Sequence, residues 1–136
     1  MIRRLVYPRE KGQALPLTVL FLFVLLGIVS LVVDGGMAYS YRRYMQNAAD
    51  AAVLAGGAVM AKGITNDAQI VSAATYYAQA NKANSITIQY VNAAGNVLGQ
   101  GGTGVVPAGA QGLKIVAHYQ YTPGFAGVLG LGAFNI

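Results

Sequence analysis

The chain has no cysteine, no tryptophan and one histidine, and only 10% of its 136 residues are charged. Without cysteine it can form neither disulfides nor thiolate metal sites. One histidine and four acidic residues leave little from which to build a metal centre or an acid–base pair. Glu10 precedes the longest apolar run, and Asp34, Asp50 and Asp67 follow it far apart, so no close carboxylate pair is expected. His118 falls on the polar face of an expected strand beside Lys114 and reads as a solvated or interface residue. The stretch Gly99 to Gly104 has the glycine content of a phosphate loop. It lacks the Lys-Ser/Thr ending and no helix-forming run follows, so it reads as a surface loop. Composition therefore argues against an enzyme and against any cofactor or metal. An ordinary soluble domain carries about 25% charged residues. With so few here, much of the surface has to meet lipid or other protein.

The net charge of +5 is unevenly placed. Arg3, Arg4, Arg9 and Lys11 crowd the start, Arg42 and Arg43 follow the apolar run, and Lys62, Lys82 and Lys114 are scattered. Such flanking charge belongs to a membrane segment and forms no phosphate-tracking stripe, so no nucleic-acid partner is expected. Between the flanks, Ala14 to Val33 is a run of 20 residues without a charge. As a helix it spans about 30 Å, the thickness of a hydrocarbon core. It is longer than the apolar part of a signal peptide, which takes about 7–15 residues. The Lys/Arg excess on its N-terminal side predicts a cytoplasmic N-terminus and an exported remainder.

The helix is expected to continue from Pro16 to about Met60, with Gly35 and Gly36 as its weak point. Ala48, Ala49, Ala52, Ala55 and Gly56 give it a stretch with almost no bulk, suited to close helix packing. Gly63 ends it, and Thr65 or Asn66 caps a second helix with Asp67 in its first turn and Ile70, Ala73, Ala74, Tyr77 and Ala80 on one face. Two alternations then predict strands, one through Ile86, Ile88 and Tyr90, the other through Leu113, Ile115, Ala117, Tyr119 and Tyr121. Between them are expected a turn around 93–96 and a short strand near Val97. A turn of helix through Phe125, Val128 and Leu129 and a last strand over 133–136 complete the chain. The fold class is α+β: a long N-terminal helix, then a small domain with a second helix and an antiparallel sheet. The expected organisation is a basic cytoplasmic segment (1–13), a transmembrane span (14–33), an extension of the long helix (34–62) and a small exported domain (65–136).

Specific residues also carry a family resemblance. Glu10-Lys11-Gly12-Gln13-Ala14 stands before the span. Asp34, Gly36 and Tyr39 follow it, then Arg42-Arg43, Gln46-Asn47-Ala48-Ala49-Asp50-Ala51-Ala52 and Leu54-Ala55-Gly56. This pattern resembles the N-terminal module of TadE/TadG-like proteins of the Flp (tight-adherence) pilus system. The resemblance implies a pilin-like structural subunit of a bacterial surface filament. It would sit in the inner membrane as a precursor and then join a homopolymer at the cell surface. Its partners would be other copies of itself, the membrane before assembly and the pilus secretion machinery, and its exported domain would serve adhesion. The alternative is a membrane-anchored assembly factor of the same family that does not polymerise. Processed pilins of this system are cut after a glycine and carry a glutamate five residues later. Gly12-Gln13 is the corresponding junction, but Leu17 occupies the glutamate position, so retention of the leading segment is expected. Asp34 is expected to be enclosed when spans pack together. There it would pair with Arg42 or Arg43 of a neighbouring subunit, or with a basic residue of that subunit's Arg3–Lys11 segment, and set the axial register.

Overall fold

The computed structural model describes residues 12–130 and 132–136. The basic residues Arg3, Arg4, Arg9 and Lys11 of the leading segment lie outside the described residues.

Helix α1 runs without interruption over Ala14–Ala61, 48 residues, about 70 Å at ~1.5 Å per residue. Pro16 sits in its first turn, where its missing N–H has no helical partner to lose. The helix passes through Gly35 and Gly36 without breaking. Glycine there lowers propensity by about 1 kcal/mol per residue but removes no hydrogen bond. The far end stops where expected: Gly63 takes a φ of +77°, and its N–H reaches Met60 O at 2.9 Å.

The two halves of α1 live differently. From Ala14 to Val33 every residue except Ser30 is exposed, large apolar side chains included. Beyond it, Asp34, Met45, Ala48, Ala52 and Gly56 are buried at spacings of three and four residues, apart from the longer step after Asp34. The second half is thus a wall of the domain core, and the first half projects from it bare.

Helix α2, Asp67–Ala80, is capped by Asn66, whose side chain accepts the Gln69 N–H at 3.2 Å. It buries Ile70, Ala74 and Ala78, strictly four apart, and leaves Ala73 half-buried with Tyr77 and Ala80 exposed. The apolar face expected from sequence is therefore rotated by part of a turn. The cause is the partner: α1 presents the small side chains of Ala48, Ala52 and Gly56 there, so α2 brings its own alanines to the contact.

Strands β1 (Ser85–Val91), β2 (Val97–Gln100) and β3 (Gly112–His118) form an antiparallel sheet in the order β2-β1-β3. Ile88 and Tyr90 of β1 and Ile115 and Ala117 of β3 face the helices and are buried. Between β1 and β2 the Asn92 side chain accepts the N–H groups of Ala94 and Asn96, fixing the expected turn. The expected strand through Tyr121 is split. Tyr119 leaves the ladder of β1 and exchanges backbone bonds with Ile136, 3.1 Å and 2.9 Å. A second small sheet follows, β4 (Gln120–Tyr121) with β5 (Phe134–Asn135). Alternation survives the break, which is why the sequence pattern conceals it: Tyr121 is still buried. A 3-10 turn, Ala126–Leu129, joins the two strands and touches α1.

Candidate functional site

Two buried aspartates tie distant segments to the helices, and the bare half of α1 stands beside one of them. Asp34 lies at the end of the apolar run and is 6% exposed. A carboxylate so enclosed needs donors. The chain provides them from 90 residues away. Gly124 N–H donates to Oδ1 at 3.1 Å, Phe125 N–H lies 3.1 Å from Oδ2, and the Tyr121 hydroxyl donates to the Asp34 carbonyl at 3.3 Å. Burial, then the negative charge of Asp34, push the Tyr121 phenol above its ordinary value. An aspartate at the end of the apolar run therefore anchors the C-terminal segment to α1. A cation from a second copy, as expected from the sequence, would meet a carboxylate that is already hydrogen-bonded by backbone N–H groups of its own chain. Arg42 and Arg43 are both exposed, two turns further along α1.

Asp67 repeats the device at the other end of the domain. It is 2% exposed. The buried Tyr90 hydroxyl donates to Oδ1 at 2.7 Å, and the N–H groups of Gly102 and Gly104 donate to Oδ2 at 3.0 Å and 2.7 Å. Both glycines have positive φ, +89° and +84°, which turns their N–H groups inward at little steric cost. The glycine-rich loop does cradle an anion, and the anion is the protein's own carboxylate. Nothing in the local sequence signals this, because Asp67 is 35 residues or more from the loop that holds it. Burial pushes the Asp67 carboxyl up, but the Tyr90 hydroxyl and the two amides outweigh it and hold it below the ordinary 3.8. The same contact, with burial first, pushes the Tyr90 phenol far up.

A pH dependence follows. With the folded value lowered, the unfolded chain binds more protons in the acid range, so stability rises with pH there. The contribution is complete above the ordinary value of 3.8 and is lost as pH falls through the lowered one. Urea unfolding of the detergent-solubilised protein should show a steep loss of stability below about pH 4. In Asp67→Asn that slope should flatten, and an unchanged slope would assign the acid sensitivity elsewhere.

The small-residue stripe is divided. Ala48, Ala52 and Gly56 are buried against the chain's own α2 and β3, while Ala49 and Ala55 are half-buried. At Gly56 the approach is closest: a Cβ would stand 2.6 Å from Leu113 Cδ1 and 3.4 Å from Ala74 Cβ. Close packing at these three positions is thus used inside the fold. Tyr41 joins the second half of α1 to the small sheet, stacked on Tyr119 with ring centroids 4.4 Å apart and planes 9° from parallel. Gly12 and Gln13, the candidate processing junction, are exposed immediately before α1. His118 shares a 3.1 Å hydrogen bond with Thr87 across the β1–β3 pair. Among the described residues no group of three or more His, Asp or Glu side chains is placed to hold a metal.

Comparison with known proteins adds one match. Residues 12–61 match the TadE/G-like Flp pilus-assembly family, named Tad. The matched stretch begins two residues before α1 and ends on its last residue. No curated protein and no solved structure matches the chain.

Proposed function

We propose that the chain is a structural subunit of a Tad/Flp-type surface filament, first held in the membrane by residues 14–33 and assembled through α1. One observation carries the reading. Among the described residues, every residue of the 20-residue apolar stretch of α1 except Ser30 is exposed, while the rest of the same helix is the spine of a packed domain. Exposed leucine, valine and phenylalanine on all sides of a helix demand an apolar surrounding. Lipid provides it before assembly, and other apolar helices provide it in a filament core. Transfer between the two costs little hydrophobic energy, because lipid tails are as apolar as leucine. The match to a pilus-assembly family over α1 supports a place in that machinery. The domain then faces outward, where it would serve adhesion.

One observation favours the second reading, a membrane-resident assembly factor that does not polymerise. Ala48, Ala52 and Gly56, the smallest seam on α1, are already engaged by α2 and β3. A polymer would then have to form without that seam. Shearing separates the two readings. Filaments detached from cells and analysed by mass spectrometry should contain this chain as a principal component, and cells lacking it should carry none. Recovery of the chain only from the inner membrane, with filaments intact in composition, would establish the assembly factor.

A further inference from the structure

We propose that the turn at Gly124–Leu129 is a second membrane contact, an apolar wedge that Asp34 holds in the outer interface beside the span. The proposal rests on residues 14–33 being in lipid, and its geometry is independent of whether the chain polymerises. Three observations converge. First, position: the amides of Gly124 and Phe125 are bonded to the Asp34 carboxylate. Asp34 directly follows the run that fits the hydrocarbon thickness. Ser30, one helical turn earlier on the same face, is the one residue of 14–33 that is not exposed, and the 3-10 turn touches α1. The turn thus lies level with the last turn of the span. Second, chemistry: Phe125 is 55% exposed and Val128 85% exposed. From Pro123 to Ile136 the sequence has no charged residue. These largely exposed apolar side chains would face water if the turn stood clear of the bilayer. Third, order along the axis: Arg42 and Arg43 are exposed eight and nine residues past Asp34, about 12–14 Å further out. With Asp34 at the edge of the hydrocarbon, that is just past a headgroup layer about 5–8 Å thick, from which long arginine side chains reach back to the phosphates. Tyr39, 67% exposed, lies between them, where an interfacial aromatic belongs.

The wedge gives the domain two points of attachment, one transmembrane and one interfacial. An interfacial element of this kind sinks roughly 5–10 Å into the boundary between headgroups and acyl chains. The occupant is therefore the outer leaflet, and a second copy of the chain is the competing outcome.

The absence of tryptophan makes the test direct. Phe125→Trp, Val128→Trp, Leu22→Trp in the middle of the span and Tyr76→Trp on the exposed face of α2 each provide a single tryptophan in the full chain, excited at a wavelength where the tyrosines do not absorb. Each is reconstituted into phosphatidylcholine–phosphatidylglycerol vesicles with or without bromine on the upper acyl chains. Leu22→Trp reports whether the span is in lipid. With that satisfied, Phe125→Trp and Val128→Trp should show blue-shifted emission and lose about half of it in brominated lipid, as expected at interfacial depth. Tyr76→Trp should be unaffected. The losses should not change when the protein is diluted tenfold in lipid. Quenching at Leu22 with none at either 125 or 128 overturns the wedge and leaves the span. A blue shift at 125 and 128 that disappears on dilution identifies a second copy as the occupant and also overturns it. No quenching at Leu22 removes the membrane reading on which the wedge rests, and the wedge with it.

Discussion

Gly56→Leu should dismantle the domain while leaving the chain in the membrane. A Cβ at this position already stands 2.6 Å from Leu113 Cδ1, 3.4 Å from Ala74 Cβ and 3.6 Å from Ile70 Cγ2. A leucine has three further carbons to place in the same gap. Overpacking of this kind typically costs about 1–3 kcal/mol, and the collision with both α2 and β3 puts the substitution at the upper end. A small domain with no disulfide has only about 3–5 kcal/mol in its core. The α1–α2–β3 packing should therefore fail, seen as rapid proteolysis beyond residue 60 and loss of a cooperative melting transition. Residues 14–33 lie far from the collision, so membrane extraction behaviour should be unchanged. The neighbouring glycine provides the control. A Cβ on Gly57 meets nothing within 4 Å, and Gly57→Ala should stabilise α1 by about 1 kcal/mol through helix propensity. A Gly56→Leu domain as resistant to protease as the parent would show that the seam is looser than its geometry.

Asp67→Ala should be nearly as damaging, by a different route. The substitution removes one acceptor and strands three donors: the Tyr90 hydroxyl and the amides of Gly102 and Gly104. Hydrogen bonds to a charged group contribute about 1.5–3 kcal/mol, and an orphaned buried donor costs a similar amount. The two glycines are exposed and can turn to water, while Tyr90 is fully buried and cannot. A total loss of about 2–4 kcal/mol in urea unfolding is expected. Tyr90→Phe removes the stranded donor itself. Added to Asp67→Ala it should recover part of the loss, so the double variant should be more stable than the sum of the two singles predicts. Additive losses would mean that the hydroxyl and the carboxylate do not act as a unit.

The two aspartates also mark where reading the sequence succeeds and fails. Local periodicity is enough to find α1, α2, β1 and β3, because each is decided by residues within one or two turns of one another. The cap at Asn66 and the stop at Gly63 are equally local. The chemistry that closes the domain is not. Asp67 meets a glycine loop 35 or more residues away and Asp34 meets an amide 90 residues away. The amides of Gly102, Gly104, Gly124 and Phe125 donate through the backbone, which no side chain advertises, and the Tyr90 hydroxyl that joins them at Asp67 comes from a strand 23 residues away. The small stripe on α1 shows an intermediate case. Alanine and glycine at spacings of four announce that something comes close, and the sequence is silent on what. The structure brings α2 and β3 to Ala48, Ala52 and Gly56. The split between β3 and β4 was hidden for a third reason: a strand may change partners at Tyr119 without changing which side its residues face.

The unbroken course of α1 through Gly35 and Gly36 has a mechanical consequence. With no hinge between anchor and domain, the two share one axis and behave as a shaft and its head. Rotating the span by a single residue step, about 100°, swings the whole domain through the same angle. Tilting the span leans the head with it. A pull applied to the head is delivered as tension along the helix axis, borne by backbone hydrogen bonds in series rather than absorbed by a flexible link. The head's bearing toward its surroundings is accordingly coupled to whatever grips residues 14–33.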